Sequence, residues 1–389
     1  MKMVWEFASV AAGALLVATA QPASALTFTL VDYNGSVAGS AAAQGFQKAA
    51  DYWSSVITND VNVRLEIGYT GISGNVIGTA FSQKDGASVA SVYQRLSTTG
   101  NSALDAMAVA NLTPLTAAGG LTMMTSGVNI STQVYDADNS ANNLQLLSNT
   151  ASLKALGFSY NPLLVDGRIN FNTALNFDFD PTDGITAGAF DFIGVAIHEI
   201  GHVLGFTSGV DEYDYFAGDP TFDLNDYAEF STLDLFRYSA DPRSLAHGPG
   251  RVLDLSVGAA AYMSVDGGAT QLFGDSRFST GARHGDGWQA SHWKDTSGCG
   301  LQIGAMDPTF CRATGVTVTA QDLAAMDAIG WNLNFDILGN SGYQITTADI
   351  FNGVGSAVPE PQTWAMMLLG FGILGVSLRS RRGLYLRTA

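Results

Sequence analysis

The chain has 389 residues, 47% of them hydrophobic and only 14% charged, with 18 Lys+Arg against 35 Asp+Glu and a formal net charge of −17. That length supports a sizeable core, and the excess of acid excludes a protein that binds nucleic acid or anionic lipid through its own surface charge. The two cysteines exclude a multi-cysteine metal site or a dense disulfide scaffold.

In chain order, the first feature is a processing signal. Lys2 precedes an apolar run ending in Gln21-Pro22-Ala23-Ser24-Ala25, small residues in an A-x-A arrangement, which predicts a secretory signal over 1–25 with cleavage after Ala25. From Leu26 to Val31 the sequence LTFTLV alternates and predicts a first strand. Ala42, Phe46, Ala49, Ala50, Trp53 and Val56 then fall on one face of a helix over Ala38–Val56. Val61–Tyr69 alternates again. Strand, helix, strand predicts a parallel pair with a right-handed crossover.

Ile72–Ser82 is Gly-rich, with a short strand expected around Val76–Phe81. Ser88–Ser97, Ser102–Leu112 and Ala141–Leu156 read as helical, separated by a stretch without clear pattern at Pro114–Ser126 and by a polar turn at Asp136–Asn143. Gly167–Asp180, GRINFNTALNFDFD, is the most strand-like stretch, ending in a turn at Pro181-Thr182-Asp183-Gly184. The helix described next resembles that of zinc peptidases, and the resemblance implies that the strand before it forms one wall of a substrate cleft, where an extended peptide could add as a further strand.

Phe190–Phe206, FDFIGVAIHEIGHVLGF, contains HExxH. On a helix, positions four apart share a face one turn along the axis, so His198 and His202 can grip one metal ion. Glu199 is placed to accept a proton from an activated water, as in zinc peptidases. Phe192, Val195, Ala196, Val203 and Leu204 make the helix a buried one, and Gly205 supplies its stop. The expected cofactor is Zn2+, which in a catalytic site takes three protein ligands and leaves one position open.

After this helix, DEYDYFAGDPTFDLNDYAEF (Asp211–Phe230) is dense in acidic and aromatic residues; it reads as a solvated acidic loop, with Ca2+ as a second candidate cofactor. Leu233–Tyr238 predicts a strand or helical turn, Arg251–Val257 a short element, Ala282–Trp293 a loop, and Thr319–Ile329 a helix closed by Gly330-Trp331. Cys299 and Cys311 most simply form one disulfide in an exported chain. At the end, Val358-Pro359-Glu360-Pro361, an apolar stretch Trp364–Leu378 and the cluster Arg379, Arg381, Arg382 form a three-part tail. The stretch is about 22 Å long as a helix, marginal against a bilayer core of about 30 Å.

The third ligand is not fixed by the helix. A ligand three residues after the glycine, as in the compact HExxHxxGxxH spacing, would be Ser208, a poor zinc donor; the candidates are Asp211, His247, His284 and His292. The order HExxHxxG, a long insertion, Ser291-His292-Trp293, Gly304-Ala305-Met306-Asp307-Pro308 and a closing helix into Ile329-Gly330-Trp331 resembles the leishmanolysin-like metzincins, over roughly Asp191–Asn332. The resemblance implies His292 as third ligand, Met306 as the methionine of the turn beneath the metal, and a Cys299–Cys311 pair bracing that turn. It further implies an α+β metzincin-type zincin: an N-terminal subdomain (26–205) with a mixed twisted sheet and the HExxH helix, then a C-terminal subdomain (206–350) mainly of loops and helices with the Met-turn. The tail (351–389) resembles the PEP-CTERM sorting signal, which implies an exosortase-type processing partner, transient membrane contact through the apolar segment, and delivery to the surface or exterior of a Gram-negative bacterium. The expected activity is that of an exported zinc endopeptidase acting on protein or peptide; the alternative is a cell-surface or matrix structural protein with a non-catalytic zinc site.

Overall fold

A computed structural model of the chain describes residues 25–353 except 75, 127–131, 247–249, 297 and 301. The expected signal over 1–25, but for Ala25, and the sorting tail from 354 onward lie outside the described residues. Among the described residues no helix is long and apolar enough to cross a membrane.

The described residues form a mixed α+β structure with one four-stranded sheet, one three-stranded sheet and several two-stranded ones. In the main sheet the order is Thr27–Asp32, Asn62–Thr70, Gly167–Asn172 and Gly78–Ser82; the first three strands run parallel and the last is antiparallel to its neighbour. The parallel first pair is the arrangement expected from strand, helix, strand. Its alternation has a purpose: Val63, Leu65 and Ile67 are buried between sheet and helices while the residues between them are not.

The connecting helix, Ala41–Val56, buries the six apolar residues that mark its face in the sequence. It packs along a second helix, Phe192–Leu204, which carries the HExxH residues. Gly45 permits this closeness, since a Cβ there would overlap the Phe192 ring. Phe46, Phe171 and Phe192 meet with ring centroids 4.7–5.1 Å apart, locking sheet and both helices together. Each large apolar side chain buried this way contributes about 1.5–3 kcal/mol, so burial, not helix propensity, fixes the second helix in a sequence holding two glycines.

Three expectations are corrected. Ala141–Leu156 is not one helix: Gln145–Asn149 is a strand between short helices Ala141–Leu144 and Thr150–Ala155. It pairs antiparallel with Lys84–Ser88 and buries Leu146 and Ser148, a distant partner overriding a helical local pattern. Gly167–Asp180 is interrupted after Asn172, whose side chain bonds the backbone of Ile72, Val76 and Ala174 and so ends the strand. And Gly167–Asn172 cannot accept an extra strand, because both its edges are taken by Asn62–Thr70 and Gly78–Ser82; the sheet's edge strands are Thr27–Asp32 and, on this side, Gly78–Ser82.

After the HExxH helix the chain is mainly loops, short helical turns and small sheets. Thr319 caps the closing helix, Ala320–Ala328, in a reciprocal box with Asp322. One apolar cluster runs through the described structure from Leu26 to Ile350.

Candidate metal centre

Asp191 caps the Phe192–Leu204 helix by accepting from Gly194 N–H at 3.0 Å, and its second oxygen accepts from Val316 N–H and the Thr347 hydroxyl. Two indoles hold the outer carbonyls: Trp53 Nε1–H donates to Ile197 and Trp331 Nε1–H to Leu204. The helix stops at Gly205, where φ is +125°. His198 and His202 therefore project from a rigid element, one turn apart.

His292 arrives from the loop that follows residue 281. The Nε2 of His202 lies 3.0 Å from that of His198 and 3.2 Å from that of His292. The Nδ1–H of each ring has its own acceptor: the carbonyl of Ala305 for His198 (2.8 Å), of Phe206 for His202 (2.8 Å) and of Gln289 for His292 (3.2 Å). With Nδ1 carrying the proton, each Nε2 presents a lone pair, and three lone pairs converge. Such an arrangement repels itself unless a cation sits among them. A tetrahedral zinc centre with bonds of about 2.0–2.1 Å separates its ligand atoms by about 3.3 Å, so the donor set fits that ion. Among the described residues these three are the only group of three or more His, Cys, Asp or Glu so gathered.

Burial first, then the neighbouring imidazoles, holds His198 well below the ordinary histidine range. Burial pushes His202 down to about 4, and burial with the adjacent His202 pushes His292 down to about 3. All three rings are neutral near pH 7, the form a metal needs. Burial alone pushes the Glu199 carboxyl up to about 8. Glu199 borders the free-edged strand: a Cβ on Gly78 would stand 3.1 Å from its Oε1.

Met306 is fully buried against the HExxH helix, where a Cβ on Gly201 would come within 2.5 Å of its Sδ. The glycine inside HEIGH thus has a steric reason. Trp293 N–H donates to the Met306 carbonyl at 3.0 Å, tying the His292 loop to this turn. Cys299 and Cys311 form a disulfide around it, and Phe310, next to Cys311, sets its ring edge-on to His198 at 4.9 Å.

The other third-ligand candidates are placed elsewhere. The Asp211 carboxylate is buried and accepts from the N–H groups of Ala290 and Ser291 and from the Ser291 hydroxyl, so it holds the His292 loop rather than joining the triad. His284 pairs with Asp214 through Nδ1 at 3.1 Å. His247 lies outside the described residues. Ser208 donates through its N–H to the Ser291 hydroxyl and through its own hydroxyl to Asp234, bracing the same loop. In the acidic stretch, Asp219 and Asp223 bind their own turns at Thr221 and Asn225. That stretch borders a cavity of about 260 Å³, lined among others by Asp136, Tyr213, Phe216 and Phe222 and by none of the three histidines. The cavity is therefore no part of this centre.

Several supports of the triad come from residues that the sequence does not single out. Asn149 Nδ2–H donates to the His202 carbonyl at 2.6 Å. The buried Arg237 guanidinium lies over the Phe278 ring and donates to the carbonyls of Ala290 and Ser279. Asp322 accepts from Trp293, Ala305 and Met306. Only the Thr-x-x-Asp capping spacing at 319–322 left a trace in the sequence.

Neither a curated protein nor a solved structure matches the chain. Residues 357–382 match the PEP-CTERM protein-sorting motif, which indicates export and sorting in Gram-negative bacteria and recognition by an exosortase-type enzyme.

Proposed function

We propose that the chain is an exported, zinc-dependent endopeptidase. The observation that carries this reading is the convergence of three Nε2 lone pairs, each ring fixed by its own Nδ1–H bond, beside a buried carboxyl that makes no bond to them. His198, His202 and His292 would hold the ion. Zinc in such a site supplies a bound water acidified toward neutrality and a Lewis acid for the scissile carbonyl. Glu199 takes the proton of the attacking water and returns it to the leaving amine.

An extended polypeptide suits the edge strand Gly78–Ser82, whose outer N–H and C=O groups face away from its only ladder partner and which borders Glu199. The order of parts resembles leishmanolysin-like metzincins, with Met306 beneath the histidines and Cys299–Cys311 closing the turn, and this supports the same reading. After removal of the sorting segment by an exosortase-type enzyme, the product would stand at the cell surface or outside it. A purely structural zinc site would close with a fourth protein ligand; the triad with an adjacent base is the open type.

Casein cleavage by the full chain, abolished by a chelator and restored by zinc, tests the activity. Glu199→Gln should lower kcat about 10²–10⁴-fold with one zinc retained per chain. Unchanged turnover in that variant would remove Glu199 from the chemistry, and the absence of zinc from the wild type would remove the centre.

A further inference from the structure

Asp322 lies in the first turn of the closing helix, and its carboxylate is fully buried. Its Oδ2 accepts from Thr319 N–H, the ordinary bond of a helix cap, and also from Ala305 N–H at 2.8 Å. Its Oδ1 accepts from the Trp293 indole N–H at 2.8 Å and from Met306 N–H at 3.2 Å. Three of these donors lie outside the helix, and two are one step from metal-ligand candidates. Ala305 is the residue whose carbonyl receives the Nδ1–H of His198. Trp293 follows His292 in the chain. Gly304 lets the carboxylate approach, because a Cβ there would overlap it.

We propose that Asp322 is the positioning residue of the metal centre. One carboxylate ties the segment that orients His198 to the segment that carries His292, and so sets the separation of two Nε2 atoms contributed by different parts of the chain. It touches neither ion nor substrate and acts through Ala305 and Trp293. The inference rests on the reading of the triad as a zinc site and adds the residue that governs its affinity. Only a carboxylate serves here, since each of its oxygens faces N–H donors; an amide in its place would turn an NH2 toward one set of them.

The test measures zinc affinity of the full chain by competition with a chromophoric chelator, and the visible spectrum of the cobalt-substituted protein, alongside melting curves. Asp322→Asn should weaken zinc about 10–100-fold and shift the cobalt bands. Trp293→Phe, which keeps a ring and removes one donor, should weaken zinc by less and in the same direction. Asp327→Asn is the control: Asp327 is a buried carboxylate of the same helix that accepts from the Ser102 hydroxyl, away from the triad. It should leave zinc affinity and the cobalt spectrum unchanged. Wild-type affinity in folded Asp322→Asn and Trp293→Phe would overturn the proposal, as would an equal loss in Asp327→Asn. If Asp322→Asn does not fold, Trp293→Phe decides alone. A wild type that binds no zinc would instead sink the metal reading itself, and this inference with it.

Discussion

The Nε2 atoms of His202 and His292 stand 3.2 Å apart although 90 positions separate the two residues in the chain. His202 is fixed by a helix and His292 by a loop clamped from several sides, by Asp211 and Arg237 at Ala290 and Ser291 and by Asp322 at Trp293. Removing the loop imidazole leaves two imidazoles on one helical face, too few to hold the proposed zinc ion tightly. His292→Ala should therefore retain its far-ultraviolet circular dichroism and lose most of its zinc after dialysis, as read by elemental analysis. Full zinc retention would move the third ligand elsewhere.

Glu199 gives a pH signature in the metal-free chain. Its folded pKa of about 8 lies above the ordinary value of 4.5, so between those limits the folded state binds more protons than the unfolded one and stability falls as pH rises. Glu199→Gln removes that slope. The metal-free variant should melt above the metal-free wild type by a margin that grows from pH 5 to pH 8. A constant margin over that range would show that the carboxyl is not desolvated.

The histidines act in the opposite direction. His202 and His292, at about 4 and about 3 when folded, against 6.5 ordinarily, bind fewer protons folded than unfolded over that interval. In the metal-free Glu199→Gln background, Tm should drop as pH falls from 6.5 toward 4, and His292→Ala in that background should flatten the drop. An equal drop with and without His292 would place its cause outside the triad.

Gly201→Ala tests the packing beneath the centre. A Cβ at 201 would sit 2.5 Å from the Met306 sulfur, and Met306 is fully buried, so the sulfur has to move within a packed core. Overpacking of this kind costs about 1–3 kcal/mol, readable as a lower urea midpoint. Met306→Ala in the same chain should relieve part of the Gly201→Ala cost, a coupling that a double-mutant cycle detects. Strict additivity would mean the two residues do not meet.

The disulfide closes a short loop, Cys299 and Cys311 being separated by 12 in sequence. Loop-closure entropy predicts a loss of about 3 kcal/mol when both are replaced by serine. Because Phe310 rests on His198 from within that loop, the double variant should also bind zinc more weakly at a temperature where it is fully folded. Unaltered affinity would confine the bridge to a role in stability.

What the sequence determined by itself is what short-range periodicity can encode. The i, i+4 spacing of His198 and His202, the buried face of Ala41–Val56, the alternation of Asn62–Thr70 and the sorting motif at the C-terminus all depend on residues within a turn or two of each other. Tertiary structure decided the rest. Gln145–Asn149 is a strand because Lys84–Ser88 lies beside it, and Gly78–Ser82 rather than Gly167–Asn172 keeps an open edge because strand order is a property of the whole sheet. The choice of His292 over Asp211 and His284 belongs to the same class: Asp211 and His292 reach the same loop, and only the folded chain shows that one spends its oxygens on backbone N–H groups while the other turns its lone pair toward His202. A histidine triad closed across 90 positions is fixed by long-range packing, which local spacing cannot report.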